Sequence, residues 1–303
     1  MRKILMSCLL ICIAAVGNRD VEAQSDNIHA ISGDAPLQYT FQEFQYAGIR
    51  VQTEALGLND SGALVGVYYA NPVYSGYATG FMLSNGTFTS IAYPGAKGTT
   101  ALGINSLGTV VGAYILPIHT LYPHGYVYEN SQFTTIDFPG GRGTVAAGIN
   151  TSGSISGFYQ DANNIAHGFL DSGGIFTSID FPGALYTQAL GINASDQIVG
   201  WYVALTNGPT HGFLYSNGSY TSIDLPGATS TVAFGINDLG DIVGSYSAKA
   251  GNGHGYILQN GVFSKFDVPA AQFTTAAAIN NHRQVAGTCQ CKRLDGFLAT
   301  PAF

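Results

Sequence analysis

A six-bladed, all-β propeller of four-stranded blades is the fold this sequence predicts, and three observations carry that prediction. An asparagine-centred segment recurs six times along the chain. Each copy contains four short apolar or aromatic runs separated by turn residues, with no sustained helical spacing. The last copy lacks its fourth run, and a run of the same kind stands ahead of the first copy.

The recurring segment reads ALGLNDSGALVGVY, ALGINSLGTVVGAY, AAGINTSGSISGFY, ALGINASDQIVGWY, AFGINDLGDIVGSY and AAAINNHRQVAGTC. Its anchors are Asn59, Asn105, Asn150, Asn193, Asn237 and Asn280, at intervals of 46, 45, 43, 44 and 43 residues. Self-similarity at about 40 to 45 residues, with four strands per copy, describes propeller blades.

Each element has a local reason. In the second copy TTALGIN turns through an Asn-x-x-Gly tetrad into TVVGAY, a variable loop leads to HGYVYE, and a two-residue turn leads to QFTTIDF, which ends at Pro-Gly. Runs that are apolar on both sides suit sheets packed against sheets. The 40 glycines supply tight turns, and 18 Tyr with 17 Phe supply strand-forming bulk. Strands of an outer-membrane barrel need about 9 to 11 alternating residues, which these shorter two-sided runs do not offer.

The chain ends complete the picture. The sixth unit stops after DGFLATPAF, and FQEFQYAG, residues 41–48, resembles a fourth strand. Pairing the two closes the last blade and removes an edge that would invite aggregation. The expected organisation is a signal peptide over 1–23, a leader over 24–36 and a single propeller domain over 37–303, with six repeats of about 44 residues. The signal reading rests on Arg2 and Lys3, the short apolar run ILMSCLLICIAAVG and the small-residue site VEA. Secretion to the periplasm or the exterior follows, with no transmembrane segment and a monomeric propeller as the expected state.

Composition excludes some partners. Eleven Lys and Arg against 18 Asp and Glu give a net charge of −7. That balance leaves no basic footprint for nucleic acid and little attraction to anionic lipid. Removing the signal leaves Cys289 and Cys291, in TCQC, for which export suggests one disulfide formed through a local turn.

Four units share a histidine and an aspartate. Asn217-Gly218 marks a two-residue hairpin, which pairs Ser216 with Ser219 and sets His211 opposite Asp224. The same register sets His124 opposite Asp137, His167 opposite Asp180 and His254 opposite Asp267. In the first unit Thr79 and Ala92 replace both members; in the sixth Asp295 replaces His and faces Gln45. Residue types that come and go together read as a structural, hydrogen-bonded pair, not a catalytic one. The repeated Asn is expected to bond its own turn backbone.

The repeat resembles the bacterial HAF-type probable extracellular repeat family through Gly191-Ile192-Asn193, Val199-Gly200, His211-Gly212-Phe213-Leu214 and Gly218, with Gly as the middle residue of the triplet. The resemblance spans all six units and implies export and a propeller-like array. It lends no general chemistry.

Function is expected where the repeat varies. The loop between second and third strands is such a place, and it shares a face with the Pro-Gly loops. Tyr69, Tyr74, Tyr77, His119, Tyr122 and Trp201 are candidate ligand-binding aromatics there, with Lys97 and Arg142 as candidate cations for an acidic ligand. No nucleophile motif, phosphate loop or zinc spacing is present, so neither a metal, a cofactor nor a catalytic residue is assigned. The reading is a secreted, non-catalytic binding or scaffold propeller for a polysaccharide or an envelope protein. The alternative is a polysaccharide lyase or hydrolase at the channel mouth, which would need an acid and a base outside the repeat; Glu43, Glu54, Glu129, Asp161, Asp171, His119 and His282 are the groups available.

Overall fold

The computed structural model describes residues 38–48, 51–69, 77–117, 122–248, 251, 253–291 and 293–302. The expected signal peptide and leader, Tyr74 and His119 lie outside the described residues. Six four-stranded antiparallel sheets form the blades of a propeller. Five are contiguous, covering 52–91, 98–136, 143–179, 186–223 and 230–266. The sixth joins three strands within 274–302 to the N-terminal strand Gln38–Phe44. That strand pairs from Gln38 opposite Ala302 to Phe44 opposite Gly296, and Gln45 then donates to Asp295 at 2.7 Å.

The first strand of every blade is innermost, and successive first strands pack against one another around the central channel. Close approach there has a sequence cause. A Cβ on Gly103 would lie 2.8 Å from the Ala147 carbonyl oxygen of the next blade, and one on Gly112, in the second strand, would collide with the Thr100 carbonyl of its own blade. Each first strand also carries a register shift at the same place, as between Ala101 and Gly103. The outer hairpins turn through residues with positive φ, such as Asn217 at 48° and Gly218 at 79°, which is the type I′ geometry.

Two devices repeat at all six blade boundaries. Near the start of each first strand stands a buried threonine, Thr53, Thr99, Thr144, Thr187, Thr231 or Thr274. Its hydroxyl accepts a backbone N–H from the incoming inter-blade loop at 2.9 to 3.1 Å, as from Phe181 to Thr187. The second device is a ring of asparagines. Each anchoring Asn accepts a backbone N–H of its own turn through Oδ1. Its Nδ2 donates to the backbone carbonyl of the anchoring Asn in the next blade, from Asn59 through Asn105, Asn150, Asn193, Asn237 and Asn280 back to Asn59, at 3.0 to 3.1 Å throughout. All six are 3 to 5% exposed. The sequence pattern predicts the turn bond; the bond to the neighbouring blade needs the closed ring.

Candidate functional site

Strand direction sets the chemistry of the two faces. First strands run toward the asparagine ring, so third strands begin and fourth strands end on the opposite face, beside the inter-blade loops. His124, His167, His211 and His254 begin there and Asp137, Asp180, Asp224 and Asp267 end there. In every pair Nδ1 of the histidine lies 2.7 to 3.0 Å from a carboxylate oxygen. The histidine side chains are 22 to 30% exposed and the aspartates 26 to 49%, so the pairs are reachable from solvent.

An aromatic contact that is invisible in the hairpin register orients each imidazole. The tyrosine near the end of the second strand lies beside it, with ring centroids 5.2 to 5.3 Å apart for Tyr114, Tyr159, Tyr202 and Tyr246. Three of these tyrosines stack in turn on the aromatic ring ahead of the preceding blade's Pro-Gly: Tyr93 on Tyr114, Phe138 on Tyr159 and Phe181 on Tyr202, at 3.6 to 3.7 Å. A blade boundary thus holds a stack of loop ring, strand ring and imidazole. In blade 6 Cys289 occupies the tyrosine position and Asp295, its cross-strand partner, the histidine position.

Beside the pair lies a cleft. His167, Asp180 and the Phe181-Pro182-Gly183 loop line one between blades 3 and 4. His211, Asp224 and Leu225-Pro226-Gly227 line another between blades 4 and 5. The two are built from register-equivalent positions, 44 residues apart along the repeat.

The candidate aromatics and cations divide between two places. Lys97 Nζ sits 5.7 Å from the ring centroid of Tyr77 at the boundary of blades 1 and 2. The equivalent residues one blade on are Arg142 and Tyr122, where Nη1 donates to the phenol oxygen at 3.5 Å and the phenol donates to Asn164 at 2.8 Å. Both cation and tyrosine sets stand on the loop face. Trp201 does not stand on that rim. It is 7% exposed, buried in the second strand of blade 4 at the position that Val67, Phe158 and Thr288 occupy in theirs. Tyr69 also belongs to the interior, because it lines the central channel and its hydroxyl donates to the buried carboxyl of Glu54.

The other non-repeat acids are dispersed. Glu129 accepts from Thr109 at 3.3 Å, Asp161 caps the Asn163 and Ile165 backbone, and Asp171 caps Gly174. Glu43 lies in the closing strand, where its carboxylate and the sulfurs of Cys289 and Cys291 fall within 4.8 Å of one another. The two cysteines are thiols with sulfurs 3.1 Å apart. Burial holds both above the ordinary thiol pKa, which disfavours the reactive thiolate. The closing strand brings this trio together, and no motif in the sequence announces it.

Among the described residues no helix is long and apolar enough to cross a membrane. No protein-family model matches the chain, and no curated protein matches it. Solved structures do. TolB from Acinetobacter baumannii is similar with a TM-score of 0.55 and 13% identity, over 79% of this chain and 64% of that one. AofleA from Arthrobotrys oligospora gives a TM-score of 0.52 and 14% identity, over 83% and 84%. The β-propeller domain of the trilobed protease from Pyrococcus furiosus gives 0.51 and 9%, over 82% and 95%. At these identities the likeness shows one thing about this chain: it is a β-propeller.

Proposed function

We propose that this protein is an exported, non-catalytic binding propeller whose loop face holds hydroxyl-rich ligands, glycans or related components of the cell envelope, in repeated inter-blade clefts. The observation that carries the reading is the recurrence of one cleft at equivalent positions, walled by His167 and Asp180 and again by His211 and Asp224. Each offers a carboxylate that accepts hydrogen bonds and an imidazole whose Nε2 faces the Asp161 carboxylate at 3.9 Å in the His167 cleft and has another partner to gain in the His211 cleft. Vicinal hydroxyls of a sugar suit that geometry, and a repeating polymer could engage several weak clefts at once, which multiplies affinity without any new contact. The cation and tyrosine sets Lys97 with Tyr77 and Arg142 with Tyr122 add aromatic and positive character to the same face. Export rests on the basic and apolar start of the chain and on its resemblance to the HAF-type extracellular repeats.

A polysaccharide lyase or hydrolase would need an acid and a base within reach of one bond. Glu129 and Asp171 are spent on Thr109 and on the Gly174 backbone, and Asp161, though 3.9 Å from His167 Nε2, is held by the Asn163 and Ile165 N–H groups of its own turn, which favours binding. The test is incubation of residues 24–303 with a panel of soluble and insoluble polysaccharides, reading protein retention and released oligosaccharides by mass spectrometry. Retention without products is expected. Released products would replace this reading with the enzymatic one, and neither signal across the panel would remove glycans as the ligand class.

A further inference from the structure

The central channel carries chemistry that the loop-face clefts do not use. The residue after the buried threonine of the first strand is Glu54, Thr100, Val145, Gln188, Val232 and Thr275 around the ring, so a carboxyl enters this layer once, in blade 1. Leu56, Leu102, Ala147, Leu190, Phe234 and Ala277 form the next layer, and Val67, Phe158 and Thr288 reach in from second strands. The channel is chiefly apolar and encloses about 100 Å³ of free space, room for a small molecule and not merely one water.

Glu54 is 3% exposed, and one of its oxygens, Oε2, is buried with no hydrogen-bond partner. The carboxyl meets the Tyr69 hydroxyl. Among the described lining residues Glu54 and Tyr69 are the titratable groups, and no lining side chain is a cation. An orphaned buried carboxyl oxygen is destabilising, and such a group in a folded protein calls for an explanation, a bound ion being one.

We propose that the channel binds a small organic ammonium ion with an apolar body, its nitrogen on Glu54 and its body against Phe158, Phe234 and the aliphatic layer. An ammonium group donates to Oε2, can be shared with the hydroxyls of Thr100, Thr275 and Thr288, and gains from aromatic faces nearby. A buried counter-charge is what the carboxyl lacks, and attraction in a low-dielectric cavity far exceeds that in water. The negative charge of the whole chain favours approach of a cation.

Proton linkage gives the proposal a signature. Burial raises the Glu54 pKa to about 7, against an opposing hydrogen bond from Tyr69, so the free site is partly protonated near neutrality. An ammonium ligand selects the carboxylate and expels that proton. Isothermal titration with benzylamine, and with benzyl alcohol as its neutral counterpart, tests this on the intact protein. Benzylamine is expected to bind at least tenfold more tightly than the alcohol at pH 8, and about tenfold more weakly at pH 6 than at pH 8, the drop in carboxylate fraction across a pKa near 7. Glu54→Gln should abolish the preference for the amine; circular dichroism reports whether the variant is folded, and the pH comparison needs no variant. Equal affinity for both probes, no binding of benzylamine at millimolar concentration, or undiminished amine binding in folded Glu54→Gln would overturn the proposal. The site is independent of the loop-face clefts, so neither result on polysaccharides bears on it.

Discussion

The two faces of the ring are built from the same six repeats, yet the asparagine face is uniform and the loop face is graded. All six blades contribute an Asn to the closed ring of hydrogen bonds, with one geometry and one degree of burial. Four blades contribute a His–Asp pair to the other face, while blade 1 has Thr79 and Ala92 and blade 6 has Asp295 with Gln45. The difference teaches how to sort a repeated residue. One whose partner is in the next blade must be present in every blade, because a single gap leaves the next blade's carbonyl and the N–H groups of its own turn unsatisfied. One whose partner is in the same hairpin can be lost pairwise, blade by blade, and such positions are free to diverge toward ligands.

The strongest way to break the comparison is to open the ring itself. Deleting 38–44 removes the closing strand and bares the edge of 294–302, and we expect loss of the folded monomer, read by size-exclusion chromatography as aggregation. A monomeric deletion protein of native melting temperature would show that closure is dispensable.

Next is the uniform face. Asn193→Ala removes bonds from the Ser195 and Gln197 N–H groups and the bond to Asn237. The expected cost is roughly 2 to 4 kcal/mol, since buried partners are orphaned in two blades, measured by denaturant unfolding. A loss below 0.5 kcal/mol would mean that the ring is decorative.

Between the faces, Glu54→Gln should stabilise the protein, and the sign depends on pH. The folded pKa is about 7 against a reference of 4.5, so relative to a neutral residue the folded state loses stability as pH rises from 4.5 through 7. The variant is therefore expected to match the parent near pH 4 and exceed it by about 3 kcal/mol at pH 8. Parallel stability curves across that range would show that Glu54 is solvated.

The smallest effect belongs to the graded face. His211→Ala should cost about 1 kcal/mol, the worth of one hydrogen bond at a partly exposed site, and reduce retention on polysaccharide less than twofold because the equivalent cleft at His167 persists. Combining it with His167→Ala should reduce retention at least tenfold if multivalent contact holds the polymer. Unchanged retention by the double variant would move the ligand away from these clefts.

Much of this architecture was legible in the residues. Hairpin register follows from Asn217-Gly218 and its equivalents, because a type I′ turn fixes cross-strand pairing, and His211 opposite Asp224 comes from that rule alone. The threonine that holds each inter-blade loop has no motif of its own, although a Thr stands near the start of all six first strands, because its partner N–H arrives from the preceding loop. Trp201 resembles a rim residue because its strand ends at the loop face, but side chains alternate along a strand and its own is buried.

By itself the sequence determined the repeat, the blade, the turn types, the closing strand and the pairing of histidine with aspartate, since each is a short-range consequence of spacing and backbone geometry. Only the tertiary structure decided what the ring brings together: Asn280 bonded to Asn59 across 221 residues, Phe181 stacked on Tyr202, and one carboxyl, Glu54, enclosed with Tyr69 among side chains from all six blades. A repeat specifies its neighbours by local rules, but what meets on the axis is set by closure, and no spacing along the chain records it.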